Sequence, residues 1–246
     1  MARQDVERPD VPGITFKLPK AVIRRLDPAT VLLESLLAQK RDDVYGPVIA
    51  LERIESYLNA ARQQQRRIER AKATVAKAAV ARRIRSPHRS MLFEDTHFYL
   101  ICWSRIAKLI DHILNGVRTY HRSGRVRRRY KRELTIRVDG RDHLEHFEER
   151  LPGGKQQHRL RNQYDLWNMH GTKMSYGGRH LDVGPDSINL LQTIVAEFRE
   201  ALLYDALESL AEDAPERAAV LLNRAATDVA VNRVKQRVRK ALTAKL

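Results

Sequence analysis

The 246 residues contain a single cysteine, Cys102. An intramolecular disulfide is therefore excluded, as is a cysteine-rich zinc site, and a lone thiol suits a reducing cytoplasm. Aromatic residues are scarce, at 6%. With Ala, Leu, Arg, Val and Glu dominant, that scarcity favours helix over sheet. Long hydrophobic runs are missing too. The most apolar stretch, "HFYLICWSRIAKLIDHIL", carries Arg105, Lys108 and Asp111, so no membrane span is expected. The opening "MARQDVERPDVPG" is charged and broken by Pro9 and Pro12, which fits neither a secretory h-region nor an anchor. Neither G-x-x-x-x-G-K-S/T nor G-x-G-x-x-G occurs, which argues against a nucleotide triphosphatase or a dinucleotide enzyme. No G-x-S-x-G nucleophile elbow is present either. A cytoplasmic protein without a membrane partner or a cofactor is the expectation.

Positive charge is what the chain has in excess: a formal net +16 and a pI near 10.3. Such a balance points to a polyanionic partner, nucleic acid before membrane. The charge is also sorted. Residues 62–89 carry +9, residues 118–132 carry +8 and residues 216–246 carry +6, leaving about −7 for the remainder. Solubility alone requires no such sorting. The sharpest run is "RTYHRSGRVRRRYKR", read as a loop in which Arg122, Arg125, Arg127, Arg128, Arg129, Lys131 and Arg132 hold phosphates and Tyr130 stacks on unpaired bases. RNA is favoured over DNA on this reading. The bland alternative is a solvated loop.

Periodicity and punctuation give a mainly α chain. Residues 1–20 form an extended leader. Asp27-Pro28 starts a short helix, with Asp27 as N-cap and Pro28 at the first helical position. A helix from Val48 to about Arg85 follows, its second half expected to be exposed or packed on a partner. Ser86-Pro87 stops it. Leu100, Trp103, Ala107, Ile110, Leu114 and Val117 then form the stripe of a central helix near 91–121. Further helices are expected near 133–151, 186–210 (capped by Asp186) and 215–245. Gly177-Gly178 marks a hairpin within 164–183. The expected domains are an N-terminal leader with a long basic helical extension, 1–88, and a helical bundle with an inserted hairpin, 89–246. Cys102, His97 and His112 are read as core or interface positions of the apolar helix. Trp167, His170 and His180 are read as structural parts of the hairpin.

The stretch "RDHLEH", Arg141 to His146, carries the candidate chemistry. Arginine stays charged and can polarise a phosphate. Histidine moves a proton near neutrality, from a reference pKa of about 6.5. Together they are a minimal kit for metal-independent RNA cleavage, in which the 2′-hydroxyl attacks the adjacent phosphate. Glu145 either orients the imidazole or competes as the base. Five residues separate Arg141 from His146, about 140° around an ideal helix. Both reach one atom only if the helix bends, as at Gly140, or if two copies share a cleft. The alternative is an ion-pair ladder of Arg141, Glu145 and Glu149 on one face. His143, His146 and Glu149 carry zinc-type donors, but their angular drift of about 60° per step fits a metal poorly.

The pattern Arg141-Asp142-His143-Leu144-Glu145-His146 resembles the R-x(4–6)-H motif of the HEPN superfamily, over about residues 90–210. The resemblance implies an HEPN-like helical bundle, preceded here by an N-terminal helical extension and carrying a small inserted β-hairpin. It also implies a homodimeric endoribonuclease of the bacterial toxin or defence type, with an antitoxin-type protein partner. Arg141 and His146 take the catalytic positions and Asp142 the polar position after the arginine, which in that family is often Asn. The other readings are a non-catalytic nucleic-acid-binding or scaffold protein, and an interaction protein whose 48–85 helix pairs with a partner helix.

Overall fold

A computed structural model describes residues 19–80, 87–115, 121–146, 168–170, 172–176 and 178–243. The chain is mainly helical, with one small antiparallel sheet. The expected leader falls almost wholly outside the described residues, as do Val117, Glu149 and Trp167. The helices are α1 (Lys20–Ile23), α2 (Pro28–Ala38), α3 (Tyr45–Val80), α4 (Pro87–Asn115), α5 (His121–Arg129), α6 (Lys131–Glu145), α7 (Pro185–Asp213) and α8 (Pro215–Thr243); the strands are β1 (Asn168–His170), β2 (Lys173–Tyr176) and β3 (Arg179–Asp182).

Two compact units emerge. The first comprises residues up to Val44 together with Leu202–Leu246, and so takes in α1, α2, the later half of α7 and α8. Its helix α2 starts as its sequence dictates. The Asp27 carboxylate accepts from the N–H groups of Ala29 and Thr30 and from the Thr30 hydroxyl, satisfying donors that the first helical turn leaves open. Val22, Ile23, Leu26 and Val31 bury against Leu203, Ala206, Leu207 and Ala225. Gln39 Nε2 donates to Ser209 Oγ at 2.6 Å.

The second unit, Tyr45–Ala201, holds every candidate site residue. The boundary expected at 88/89 falls inside it, because α3 lies along α4, while α8 belongs to the first unit instead of joining α4 and α6. The second half of α3 also departs from expectation. Leu51, Ile54, Leu58, Ala61, Gln65, Ile68 and Ala71 are all buried. Their spacing of three and four continues one stripe well into the Gln/Arg-rich part. Small alanines let the neighbouring helix approach where large side chains are missing, and Arg67 Nε reaches the buried Asp95 of α4 at 2.8 Å. The premise of a free stripe for a partner helix therefore fails as far as Ala71.

On α4 the expected stripe is buried at Leu100, Trp103, Ala107 and Ile110, with Ile106 and Ile113 buried beside it, while Leu114 is only half-buried. His112, in contrast, is exposed. The sheet has the order β1-β2-β3. Tyr176 pairs with Arg179 across Gly177-Gly178, and Gly178 takes a φ of 71° that a side chain would disfavour. Met174, Tyr176 and Leu181 turn inward. Helix α7 begins at Pro185, so Asp186 sits in its first turn instead of capping it. Asp182 Oδ1 accepts the Gly184 N–H just before that start, at 3.2 Å.

Candidate active site and basic surface

Helix α6 carries "RDHLEH" and is seated by unusual means. Its buried face is Leu134, Arg137, Gly140, His143 and Leu144, so a cation and a glycine stand where apolar residues would ordinarily complete the stripe. Arg137 is only 5% exposed. Its guanidinium lies 3.8 Å over the Trp103 ring, and it donates to the Glu133 carbonyl at 2.9 Å and to Ser187 Oγ at 3.2 Å. Tyr99 donates to the same Ser187 hydroxyl at 2.8 Å. Burial pushes the Arg137 guanidinium below its ordinary pKa.

Gly140 is a docking point for the sheet. A Cβ there would stand 2.8 Å from Leu181 Cδ2 and 3.3 Å from Leu100 Cδ1. The helix runs unbroken through it from Lys131 to Glu145. Around it, the Tyr176 hydroxyl donates to the Ile136 carbonyl at 2.7 Å, and Arg179 pairs with Asp139 at 2.6 Å. The His143 ring sits 5.1 Å from that of Tyr176. His143 is thus buried against the sheet while His146 is exposed. No group of three metal-type donors is placed together among the described residues.

The last turn of α6 gathers charge at its surface. Arg141, with 16% of its side chain exposed, pairs with Asp142, and its Nη1 lies 3.3 Å from Glu145 Oε2. This is the first rung of the i, i+4 ladder. From α4, His97 Nε2 reaches to 3.9 Å from the other oxygen of Glu145. His97 Nε2 and Arg141 Nε are enclosed, and neither has a hydrogen-bond partner. Burial first, and the Arg141 charge after it, hold His97 below the usual histidine range, against an upward pull from Glu145. His146 caps the helix, leaving helical geometry at φ −105°, ψ 30°, with its N–H donated to the Asp142 carbonyl at 3.1 Å. The fold thus groups Arg141, Asp142 and Glu145 with His97, and sets His146 just past the helix end.

His97 was not legible as a site residue. Read along α4 it is one polar residue in an apolar helix, and only packing against α6 gives it a carboxylate. Cys102 matches its core reading, since burial pushes its thiol up to about 11.

From His121 on, the arginine-rich run is helical where a loop was expected: α5, then Tyr130, then α6. Its residues divide into two sets. Arg127 makes a two-pronged contact with Asp111, at 2.6 and 3.1 Å. Arg129 pairs with Glu197 at 2.8 Å, and the Tyr130 hydroxyl donates to the same carboxylate at 3.0 Å. These three are committed within the fold, Tyr130 through its hydroxyl. Arg122 is half-buried. Arg125, Arg128, Lys131 and Arg132 are exposed, with no carboxylate partner among the described residues.

Comparison with models of known families, with characterised proteins and with solved structures finds no match. The site therefore rests on its own geometry.

Proposed function

We propose that the chain is a metal-independent endoribonuclease of HEPN-like type, acting in bacterial defence or toxicity and cleaving RNA with Arg141 and His146. The observation that carries this reading is the cluster at the end of α6. A guanidinium and two carboxylates of that turn meet the His97 imidazole of α4, with the His146 imidazole on the C-cap that follows. As C-cap, His146 still closes the last helical bond, to the Asp142 carbonyl, so its meeting with Arg141 on one phosphate falls to the cleft shared by two copies. Arg141 keeps 16% of its side chain exposed, a permanent charge suited to a phosphate oxygen. A homodimer sharing this surface and an antitoxin-type partner belong to the same reading. The test is cleavage of a labelled structured RNA in EDTA by wild type and by His146→Ala. Products with 2′,3′-cyclic ends, lost in the variant, support it; intact RNA with both proteins overturns it.

A second reading is favoured by one specific observation. Arg125, Arg128, Lys131 and Arg132 are exposed cations free of carboxylates among the described residues, which suits non-catalytic binding of an RNA backbone. Binding that falls steeply with salt, retained by His146→Ala without any cleavage, is its signature.

A further inference from the structure

Cleavage through the 2′-hydroxyl requires two proton transfers. One group takes the 2′-OH proton as that oxygen bonds to phosphorus. Another gives a proton to the 5′-oxygen as its bond to phosphorus breaks, leaving a 2′,3′-cyclic phosphate and a free 5′-hydroxyl. Arg141 stays charged and does neither. Built within one chain on the His146 imidazole, the cleavage reading, on which this inference rests, has one imidazole for two transfers.

We propose that His97 of α4 is the second proton-transfer residue, positioned by Glu145. The geometry begins with the shared carboxylate. Glu145 Oε1 lies 3.9 Å from His97 Nε2, and Oε2 lies 3.3 Å from Arg141 Nη1. One side chain thus orients both the imidazole and the guanidinium. A carboxylate behind Nε2 favours the tautomer with its proton there, leaves Nδ1 as the acceptor, and stabilises the imidazolium as it forms. The separation exceeds a hydrogen bond, as catalytic contacts often do before substrate binds. The enclosed Nε2 of His97 and Nε of Arg141 lack partners on either side of this carboxylate, and unmet buried polar atoms call for an explanation.

The ring is held yet reachable, with 24% of the side chain exposed. Glu145 and Arg141 are the charged groups that act on it from α6. On its own helix, Asp95 is committed to Arg67 of α3. The lowered pKa keeps His97 neutral near pH 7, the state a base requires. Phe98, 53% exposed, has its ring 6.1 Å from the imidazole and offers an open face to an unpaired base. The balance then closes. His97 takes the 2′-proton, Arg141 holds the phosphorane charge, and His146 delivers a proton to the departing 5′-oxygen.

The experiment compares full-length wild type, His97→Gln, His97→Ala, Glu145→Gln and His146→Ala on labelled RNA in EDTA across a range of pH, alongside RNA binding and melting. We expect both His97 variants to lose about 10²- to 10⁴-fold in kcat/KM, with RNA binding and melting close to wild type and the acid limb of the pH profile gone. Glu145→Gln moves that limb to lower pH, because its carboxylate raises the His97 pKa. A His97→Gln protein that cleaves at the wild-type rate with an unchanged profile, while His146→Ala is inactive, overturns the role of His97 and leaves the cleavage reading standing. Loss of cleavage matched by loss of binding and melting in both His97 variants overturns it as well. Wild type that cleaves nothing overturns both.

Discussion

At the scale of the residue, Arg137 shows how function-like chemistry can serve the fold. A lone buried cation is costly unless its hydrogen bonds are met, and Arg137 is met only in part, by a ring face, a carbonyl and a hydroxyl, with its Nε left without a partner and no carboxylate bonded to it among the described residues. Its aliphatic stem and planar head fill space that a thioether also fills. Arg137→Ala is expected to lower the stability of its unit by about 3 kcal/mol, in the range of large-to-small core changes. Arg137→Met should cost less than half of that, because it restores the volume and removes a buried charge; chemical denaturation of both variants measures the difference. Tyr176 gives a pH signature. Burial, aided by Asp139, pushes its phenol up to about 12. The folded chain therefore holds the neutral phenol while the unfolded chain ionises near pH 10. Stability contributed below pH 10 should be lost as pH rises through about 12, and Tyr176→Phe should flatten that decline. Neither Arg137 nor His97 was legible in the sequence. A charged residue inside a stripe reads as a break in the pattern, and a histidine acquires its partner only across two helices.

At the scale of the element, what was legible is what local chemistry decides. Asp27-Pro28 encodes a helix start and the glycine pair a two-residue hairpin link, and the Asp27 cap and the Tyr176–Arg179 pairing stand where the residues put them. Asp27→Ala should lower the first unit's stability by about 1 kcal/mol, the usual worth of an N-cap, read as a shift in the urea midpoint. Helix α5 was not legible because its buried side is only Ser123 and Val126; nine residues with one large apolar side chain show no period. Its helical state is tied down instead by the pairs that Arg127 and Arg129 make with distant acids. The role of Gly140 was equally hidden, since a helix sequence says nothing of a sheet arriving against it. Gly140→Val should cost roughly 1–3 kcal/mol through overpacking against Leu181 and Leu100, with a drop in melting temperature as the readout.

At the scale of the whole molecule, the sorted charge is the feature the sequence stated most openly, and along α5 and α6 the structure divides it into cations paired within the fold and exposed cations with no carboxylate partner among the described residues. Arg128→Gln with Arg132→Gln should reduce the slope of log affinity for single-stranded RNA against log salt by about 1.4, at about 0.7 per cation. Arg127→Gln should leave the slope alone and cost about 1 kcal/mol of stability, because its fork is already held by Asp111. A titration of binding against salt separates the two sets.

The solitary thiol gives the molecule a clock. Cys102 lies inside the second unit beside Trp103, largely enclosed, and at neutral pH almost none of it is thiolate. An alkylating reagent can then modify it only in those moments when α4 comes away from its neighbours. The rate of labelling in the native protein counts these openings, and its change on adding RNA measures how much the ligand steadies the helix that carries His97.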